Sequence, residues 1–344
     1  MELTAHIHAI GTAIPDRDVH SAFIDWATAR IDDGRERALF ARMATRSGIE
    51  HRWSVLPLAP KDAASEPTSV RMAAYADHAP RLALAAIRDL RERASIDGVT
   101  HLVVASCTGF VAPGIDQIIA AELGLDGSVE RTLVGFMGCY AAVAALRVAH
   151  HIARSDPAAR ILVVTVELCS LHLQDTGDVP RLLAMLQFAD GAAAALVTAE
   201  EGGIALDRFF AATLPDSAPL ITWTIGDTGF AMELSGEVPG RIGAALEEPA
   251  FRQRLLGDRT AEDVAHWAVH AGGRSILDAV QSALHLPQGA LAASRDVLAR
   301  FGNMSSSTLM FVLAAMLGGT GKGGGVALAF GPGLAAEGFD FRLL

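Results

Sequence analysis

Three residues of this chain have types and surroundings suited to acyl-transfer chemistry: Cys139 in GFMGCYAAVAAL, His270 in VHAGG and Asn303 in FGNMSSS. A free thiol has a pKa of about 8.5 and is mostly protonated near neutral pH. A helix N-terminus and a neighbouring imidazolium both lower that value, and the thiolate so formed attacks carbonyl carbons, a thioester being its natural target. His270 would supply the imidazolium. With Asn303 it would donate hydrogen bonds to a developing oxyanion, where losing one donor costs about 3–4 kcal/mol of barrier. Each residue also has a plainer reading. Cys139 could be a buried packing cysteine, His270 is one of twelve histidines, and Asn303 before Met-Ser-Ser could cap a helix. Cys107 and Cys169 end apolar runs and read as packing or pocket lining.

These residues need elements to hold them. THLVVASCTGF reads as a buried strand from Thr100 and PGIDQIIAAELGL as the helix after it, while ARILVVTVELCS and FADGAAAALVTAE read as further buried strands. Apolar runs of this length belong to strands covered on both faces, which places the chain in the α/β class. Leu58 to Ser69, LAPKDAASEPTS, is the most loop-like stretch.

A faint internal repeat organises the rest. HLVVASCTGFVAPGIDQIIAAEL has a counterpart in AHWAVHAGGRSILDAVQSAL, with Gly109 against Gly272 at an offset of 163; GFMGCYAAVAAL has one in GNMSSSTLMFVLAAM, with Gly135 against Gly302 at 167. Two related halves of roughly 165 residues follow, facing each other across a pseudo-twofold axis. The expected division is 1–200, carrying the cysteine, and 201–344, carrying the histidine and asparagine. Equivalent helix starts would meet near the axis, a natural place for a composite site.

Composition narrows the function classes. The 344 residues are 51% hydrophobic and 19% charged, enough to bury a large core. No uninterrupted apolar run of about 18 residues suggests a spanning helix, and the N-terminus lacks the basic leader of a signal peptide. The net charge of −11, without a Lys/Arg cluster, argues against nucleic-acid partners. Three widely spaced cysteines fit neither a disulfide framework nor a zinc site, and point to a reducing cytoplasm. GGTGKGGG, Gly318 to Gly325, hints at a phosphate loop but fails it: Met316 holds the first glycine position and Gly323 follows Lys322 where Ser or Thr should stand. It reads as a flexible turn before the strand GVALAF.

Together, GFMGCYAA, VHAGGRSILD, GNMSSST and the closing AFGPGL resemble the type III polyketide synthases, the chalcone-synthase-like enzymes of the thiolase fold. The motifs are in order over nearly the whole chain, with 131 residues from Cys139 to His270 and 33 from His270 to Asn303. VELCSLHLQ and QFADGAAAALV resemble the bacterial branch more than the plant one. The resemblance implies two pseudo-repeated βαβαβ halves in a layered α-β-α-β-α core, and a cytoplasmic homodimer. It implies acyl-CoA and malonyl-CoA as substrates, with no metal and no separate cofactor. Cys139 would carry the growing polyketide as a thioester, while His270 and Asn303 would hold the malonyl thioester carbonyl and the enolate left by decarboxylation. Cyclisation would give a pyrone or a phenolic ring, with a fatty acyl starter giving an alkylpyrone or alkylresorcinol.

By the same resemblance Phe188 is the gatekeeper between the CoA tunnel and the cavity. Ser170, His172, Trp223 and Met232 would line the cavity, and Arg42 and Arg46 in FARMATRSGI would meet the CoA phosphates. GFVAPGID resembles the segment reaching across the dimer interface, with Ala112 where many relatives carry a larger residue. His270 is followed by Ala271 rather than Pro, and Ala189 replaces a glycine; neither touches a reacting group. Three rivals remain. A β-ketoacyl-ACP synthase III-like enzyme would usually show HQAN where this chain has HAGG. A non-catalytic thiolase-fold partner subunit would normally lack one of the three residues. A cysteine hydrolase would need an acid orienting the histidine.

Overall fold

The structure, a computed structural model, describes residues 3–57 and 66–344. Of the loop-like segment, positions 58–65 lie outside the described residues, while Thr68 and Ser69 already belong to a helix. The first half runs β1 (Ala5–Ala13), β2 (Arg17–Asp18), α1 (His20–Thr28), α2 (Gly34–Thr45), β3 (Trp53–Ser54), α3 (Thr68–Arg91), β4 (His101–Ser106), α4 (Ile115–Leu123), β5 (Glu130–Gly135), α5 (Ala141–Ser155), β6 (Ile161–Leu168), α6 (Val179–Met185) and β7 (Asp190–Thr198). The second runs β8 (Ile204–Thr213), β9 (Ile221–Gly226), β10 (Gly229–Leu234), α7 (Val238–Glu247), α8 (Pro249–Leu256), β11 (His266–Val269), α9 (Arg274–Ala283), α10 (Ala292–Phe301), α11 (Ser306–Leu317), β12 (Gly323–Gly331) and β13 (Ala335–Leu343).

Nine strands form one sheet in the order β11-β12-β13-β8-β1-β7-β6-β4-β5. The internal repeat is visible in that order. From the central antiparallel pair β1 and β8, each side continues with two antiparallel neighbours and then a parallel one: β7, β6, β4 on one side and β13, β12, β11 on the other. The two halves of the sheet join through three residue pairs, Ala5 with Leu206, His6 with Ala205 and Ile7 with Ile204. Within the sheet the symmetry breaks at β5, which has no counterpart strand in the second half. There the apolar periodicity of AASRDVLARF makes α10 instead, and Asn303 keeps only an isolated bridge to Phe188.

The layers follow from the burial pattern. Every residue of β6 and of β7 is buried, as continuous apolar strands covered on both faces must be. Helices α5 and α11 are sandwiched between the two halves of the sheet. Ser306 through Leu313 of α11 are all buried, so that helix meets protein on every side. Helices α3 and α4 cover the outer face of the first-half strands, and α7, α9 and α10 cover that of the second. The result is the five-layer α-β-α-β-α arrangement. The glycine-rich turn after α11 ends at Gly323, where β12 starts two residues before GVALAF. Among the described residues no helix is long and apolar enough to cross a membrane.

Candidate active site

Cys139 sits in a single 3-10 turn, Gly138–Tyr140, that runs directly into the central helix α5. Gly138 has φ 77°, and a Cβ there would lie 2.4 Å from Pro332 Cδ. Only glycine lets the chain turn that tightly against the second half. The turn is also tied from below: the Gly138 N–H donates to Cys107 Sγ at 3.0 Å, and the Cys107 thiol donates back to the Gly138 carbonyl at 3.6 Å. Cys107 thus anchors the loop that presents Cys139.

His270 follows β11, its N–H donating to the Leu328 carbonyl at 2.8 Å. The ring is almost wholly buried, yet neither Nδ1 nor Nε2 has a hydrogen-bond partner. Asn303 is held by its backbone between Gln187 and Ala189, and its Oδ1 accepts from the Ser305 N–H at 2.9 Å. That local turn is the capping habit expected of asparagine, and it fixes the amide so that Nδ2 donates to the Gly272 carbonyl at 3.2 Å. The other N–H of Nδ2 faces the Cys139 thiol. Cys139, His270 and Asn303, from three separate elements, line one cavity with Ser305, Phe188, Trp223 and Met232.

The electrostatics differ from the sequence expectation. Burial pushes the Cys139 thiol up to about 12, against the pull of donors on Ser305 and Asn303, and the Glu167 carboxylate adds to the rise. Burial also pushes the His270 imidazole down to about 3. Desolvation disfavours the charged form of each group. Glu167 was not singled out in the sequence. Fully buried at the end of β6, it accepts from the Cys107 N–H at 2.9 Å, the Thr108 hydroxyl at 3.0 Å and the Ser306 hydroxyl, tying β4 and β6 to the start of α11. Burial raises its carboxyl to about 7. The one signal for it was a lone acid inside the apolar run LVVTVEL.

A second cavity adjoins the first and shares Cys169, Phe188, Trp223 and Met232 with it. Ser170 and His172 line only this second space. The Ser170 hydroxyl is committed to Asp190 at 2.6 Å. His172 donates from Nε2 to the Thr108 carbonyl at 2.7 Å and accepts the Phe230 N–H on Nδ1 at 3.0 Å, so it presents a ring face rather than polar atoms. That ring stacks on Phe230 at 4.1 Å and meets Trp223 edge-on at 5.3 Å. Trp223 Nε1 donates to the Cys107 carbonyl at 3.1 Å, and Met232 stands opposite Trp223 in the β9/β10 hairpin. Arg42 and Arg46, in the last turn and C-cap of α2, are exposed and line neither cavity. Arg274, the first residue of α9, donates to the Arg46 carbonyl at 3.4 Å, setting that corner beside the segment that carries His270.

A buried thiol at a helix start, an unpartnered imidazole and an oriented amide thus meet in one chamber of a five-layer α/β fold. Comparison with known proteins is specific. Residues 2–201 match the N-terminal domain of the chalcone and stilbene synthases, and residues 206–344 match their C-terminal domain. The chain is 34% identical to the alpha-pyrone synthesis polyketide synthase-like Pks18 of Mycobacterium tuberculosis, over 99% of this chain and 91% of that protein. It is 31% identical to the 1,3,6,8-tetrahydroxynaphthalene synthase of Streptomyces peucetius subsp. caesius, over 96% of this chain and 91% of that one. Among solved structures, the C-terminal type III polyketide synthase domain of Steely1 from Dictyostelium superposes with a TM-score of 0.92 at 27% identity, over 99% of both chains. PKS-I from the brown alga Ectocarpus siliculosus does so at 0.89 and 28%, over 100% of this chain and 99% of the other. The chain belongs to the chalcone and stilbene synthase family and is a type III polyketide synthase, a condensing enzyme of acyl-CoA and malonyl-CoA.

Proposed function

We propose that Cys139 is the nucleophile, with His270 and Asn303 as its base and oxyanion donors, and that the product is an acyl-derived pyrone or phenolic ring. The observation that carries this reading is the convergence of the three side chains on one buried chamber, with both His270 nitrogens unspent. A neutral imidazole has one lone pair and one N–H, which are the two things the reaction asks of it. In the loading step the lone pair takes the thiol proton as sulfur attacks the acyl-CoA carbonyl, and that proton passes to the departing CoA thiolate. In extension the N–H and the second Asn303 N–H hold the malonyl thioester oxygen. Loss of CO2 leaves an enolate there, its carbon attacks the acyl-Cys139 carbonyl, and the Cys139 thiolate is released. CoA thioesters are substrates, and no separate cofactor or metal enters this scheme.

Phe188, Trp223 and Met232 bound the chamber, with Ser170 and His172 shaping the space beyond it. Arg42 and Arg46 would meet the CoA phosphates, a role supported by their exposure and by the tie from Arg274 to the Arg46 carbonyl. A fatty acyl starter giving an alkylpyrone fits the apolar walls. A homodimer is supported by β5, an edge strand whose residues are mostly exposed, including Leu133, beside exposed Phe110 on the GFVAPGID segment. A cytoplasmic setting accords with three free cysteines. The test is mass spectrometry of products from the purified protein with malonyl-CoA and a panel of acyl-CoA starters. Pyrones or resorcinols from the parent and none from Cys139→Ala are expected; a single condensation on malonyl-ACP only would replace this reading with the β-ketoacyl-ACP synthase III one.

A further inference from the structure

Phe188 and Asn303 hold each other through their backbones, and a third residue braces both. The Asn303 N–H donates to the Gln187 carbonyl at 2.8 Å and the Ala189 N–H to the Asn303 carbonyl at 2.9 Å, an isolated bridge outside any strand. Arg52, 3% exposed, touches both segments of it. Its Nη1 donates to the Phe188 carbonyl at 2.8 Å and to the Met185 carbonyl, at the end of α6, at 3.0 Å. Its stem lies against Gly302, where a Cβ would come within 2.9 Å of Arg52 Cγ.

The guanidinium is itself aimed. Its Nε donates to His20 Nδ1 at 3.2 Å, and it lies over the Phe23 ring at 4.5 Å. Burial lowers its pKa to about 10, against the pull of Asp18 and Asp190, so it stays charged at neutral pH. Nη2 is buried with no hydrogen-bond partner among the described residues. A buried charge with an unpaired donor costs stability, and apolar side chains of similar volume commonly serve a core better. Packing alone therefore does not account for Arg52. Its fixed fork does: a lysine ammonium has no rigid set of donors with which to hold a ring nitrogen and two carbonyls at once.

We propose that Arg52 is a positioning residue for the extension step. It fixes the Phe188–Ala189 peptide, and through that peptide the Asn303 backbone and the direction of the Asn303 amide. This rests on the reading above, in which Asn303 serves extension while loading needs the His270 lone pair. Cys139 and His270 are held by other contacts, the Cys107 thiol under Gly138 and the Leu328 carbonyl. Loosening Arg52 therefore moves the donor used in extension and spares loading. A misplacement of about 1 Å costs up to about 10²-fold in a step that depends on alignment.

The test compares two rates in one preparation, both followed by mass spectrometry. Loading is decanoyl transfer to Cys139 from decanoyl-CoA alone; extension is a single turnover of that acyl-enzyme with malonyl-CoA. The folded fraction cancels in their ratio. Arg52→Lys keeps the charge and loses the fork, so extension relative to loading should fall at least about tenfold. His20→Leu removes only the acceptor of Nε and should lower the ratio about threefold or more. His20→Gln, whose amide oxygen can accept the same bond, should stay within about twofold of the parent. This His20 pair decides the matter if Arg52→Lys does not fold. Loading and extension falling in step, an unchanged ratio in folded Arg52→Lys, or equal ratios in the two His20 variants overturns the proposal. Failure of the underlying reading looks different: the parent itself carries no decanoyl group on Cys139.

Discussion

His270 and His172 are both buried and both held neutral by burial, at about 3 and about 4, yet they belong to opposite kinds of site. In the wall, His172 has both nitrogens spent on backbone groups, and Trp223 beside it has its one N–H spent as well. In the chamber, His270 has neither nitrogen spent. A satisfied buried ring stabilises its surroundings, whereas an unsatisfied one costs stability until a substrate binds. The protein keeps that cost in the chamber where the proposed chemistry would occur and removes it next door. Similar titration behaviour therefore says little about role; the hydrogen-bond partners tell the two apart.

The contrast can be broken in order of expected effect. Cys139→Ala should abolish product formation, by on the order of 10³-fold or more in kcat. Asn303→Ala should cost about 10²–10³ in kcat through loss of one oxyanion donor, and some stability as well, because it strands the Ser305 N–H and the Gly272 carbonyl. His172→Leu should cost stability while largely sparing kcat. It strands the Thr108 carbonyl and the Phe230 N–H, at about 1–3 kcal/mol each, so denaturant unfolding should show the larger change and kcat/KM the smaller. A kcat loss in His172→Leu as deep as that of Asn303→Ala would erase the distinction.

Two pH measurements sharpen it. The folded pKa of His172 lies near 4 against an ordinary 6.5, so between those values the unfolded chain binds more protons. The stability carried by this neutral ring is complete above about pH 6.5 and is lost as pH falls through 4. His172→Leu should therefore flatten the acid loss of stability seen in the parent, checked by urea unfolding from pH 7 to 4. For Cys139, a thiol raised to about 12 predicts an alkylation rate still rising with pH through pH 9. A plateau below pH 7 would mean a standing thiolate–imidazolium pair.

Much of this was legible beforehand, for identifiable reasons. That Cys139, His270 and Asn303 would meet in one chamber was readable because their motifs are local, ordered and separated by fixed distances. The paired halves were readable because the strand-turn-helix units repeat with similar offsets. Other features depend on contacts no local pattern carries. The thiol's raised pKa arises from burial by elements of both halves, and Glu167 looked like a stray charge until Cys107, Thr108 and Ser306 were seen to donate to it. His172 read as a polar cavity residue because its partners, Thr108 and Phe230, lie far off in sequence. The repeat also misled at one point: it implied a counterpart to β5, and the helical periodicity of α10 prevailed there.

The most direct test of the account is peptide mass spectrometry of the protein after incubation with decanoyl-CoA and no malonyl-CoA. The account predicts an acyl group on Cys139 alone, absent from Cys107 and Cys169, and lost in His270→Ala. Acylation of Cys107 or Cys169 in place of Cys139, or of none of the three by a preparation that does form product once malonyl-CoA is added, would contradict it.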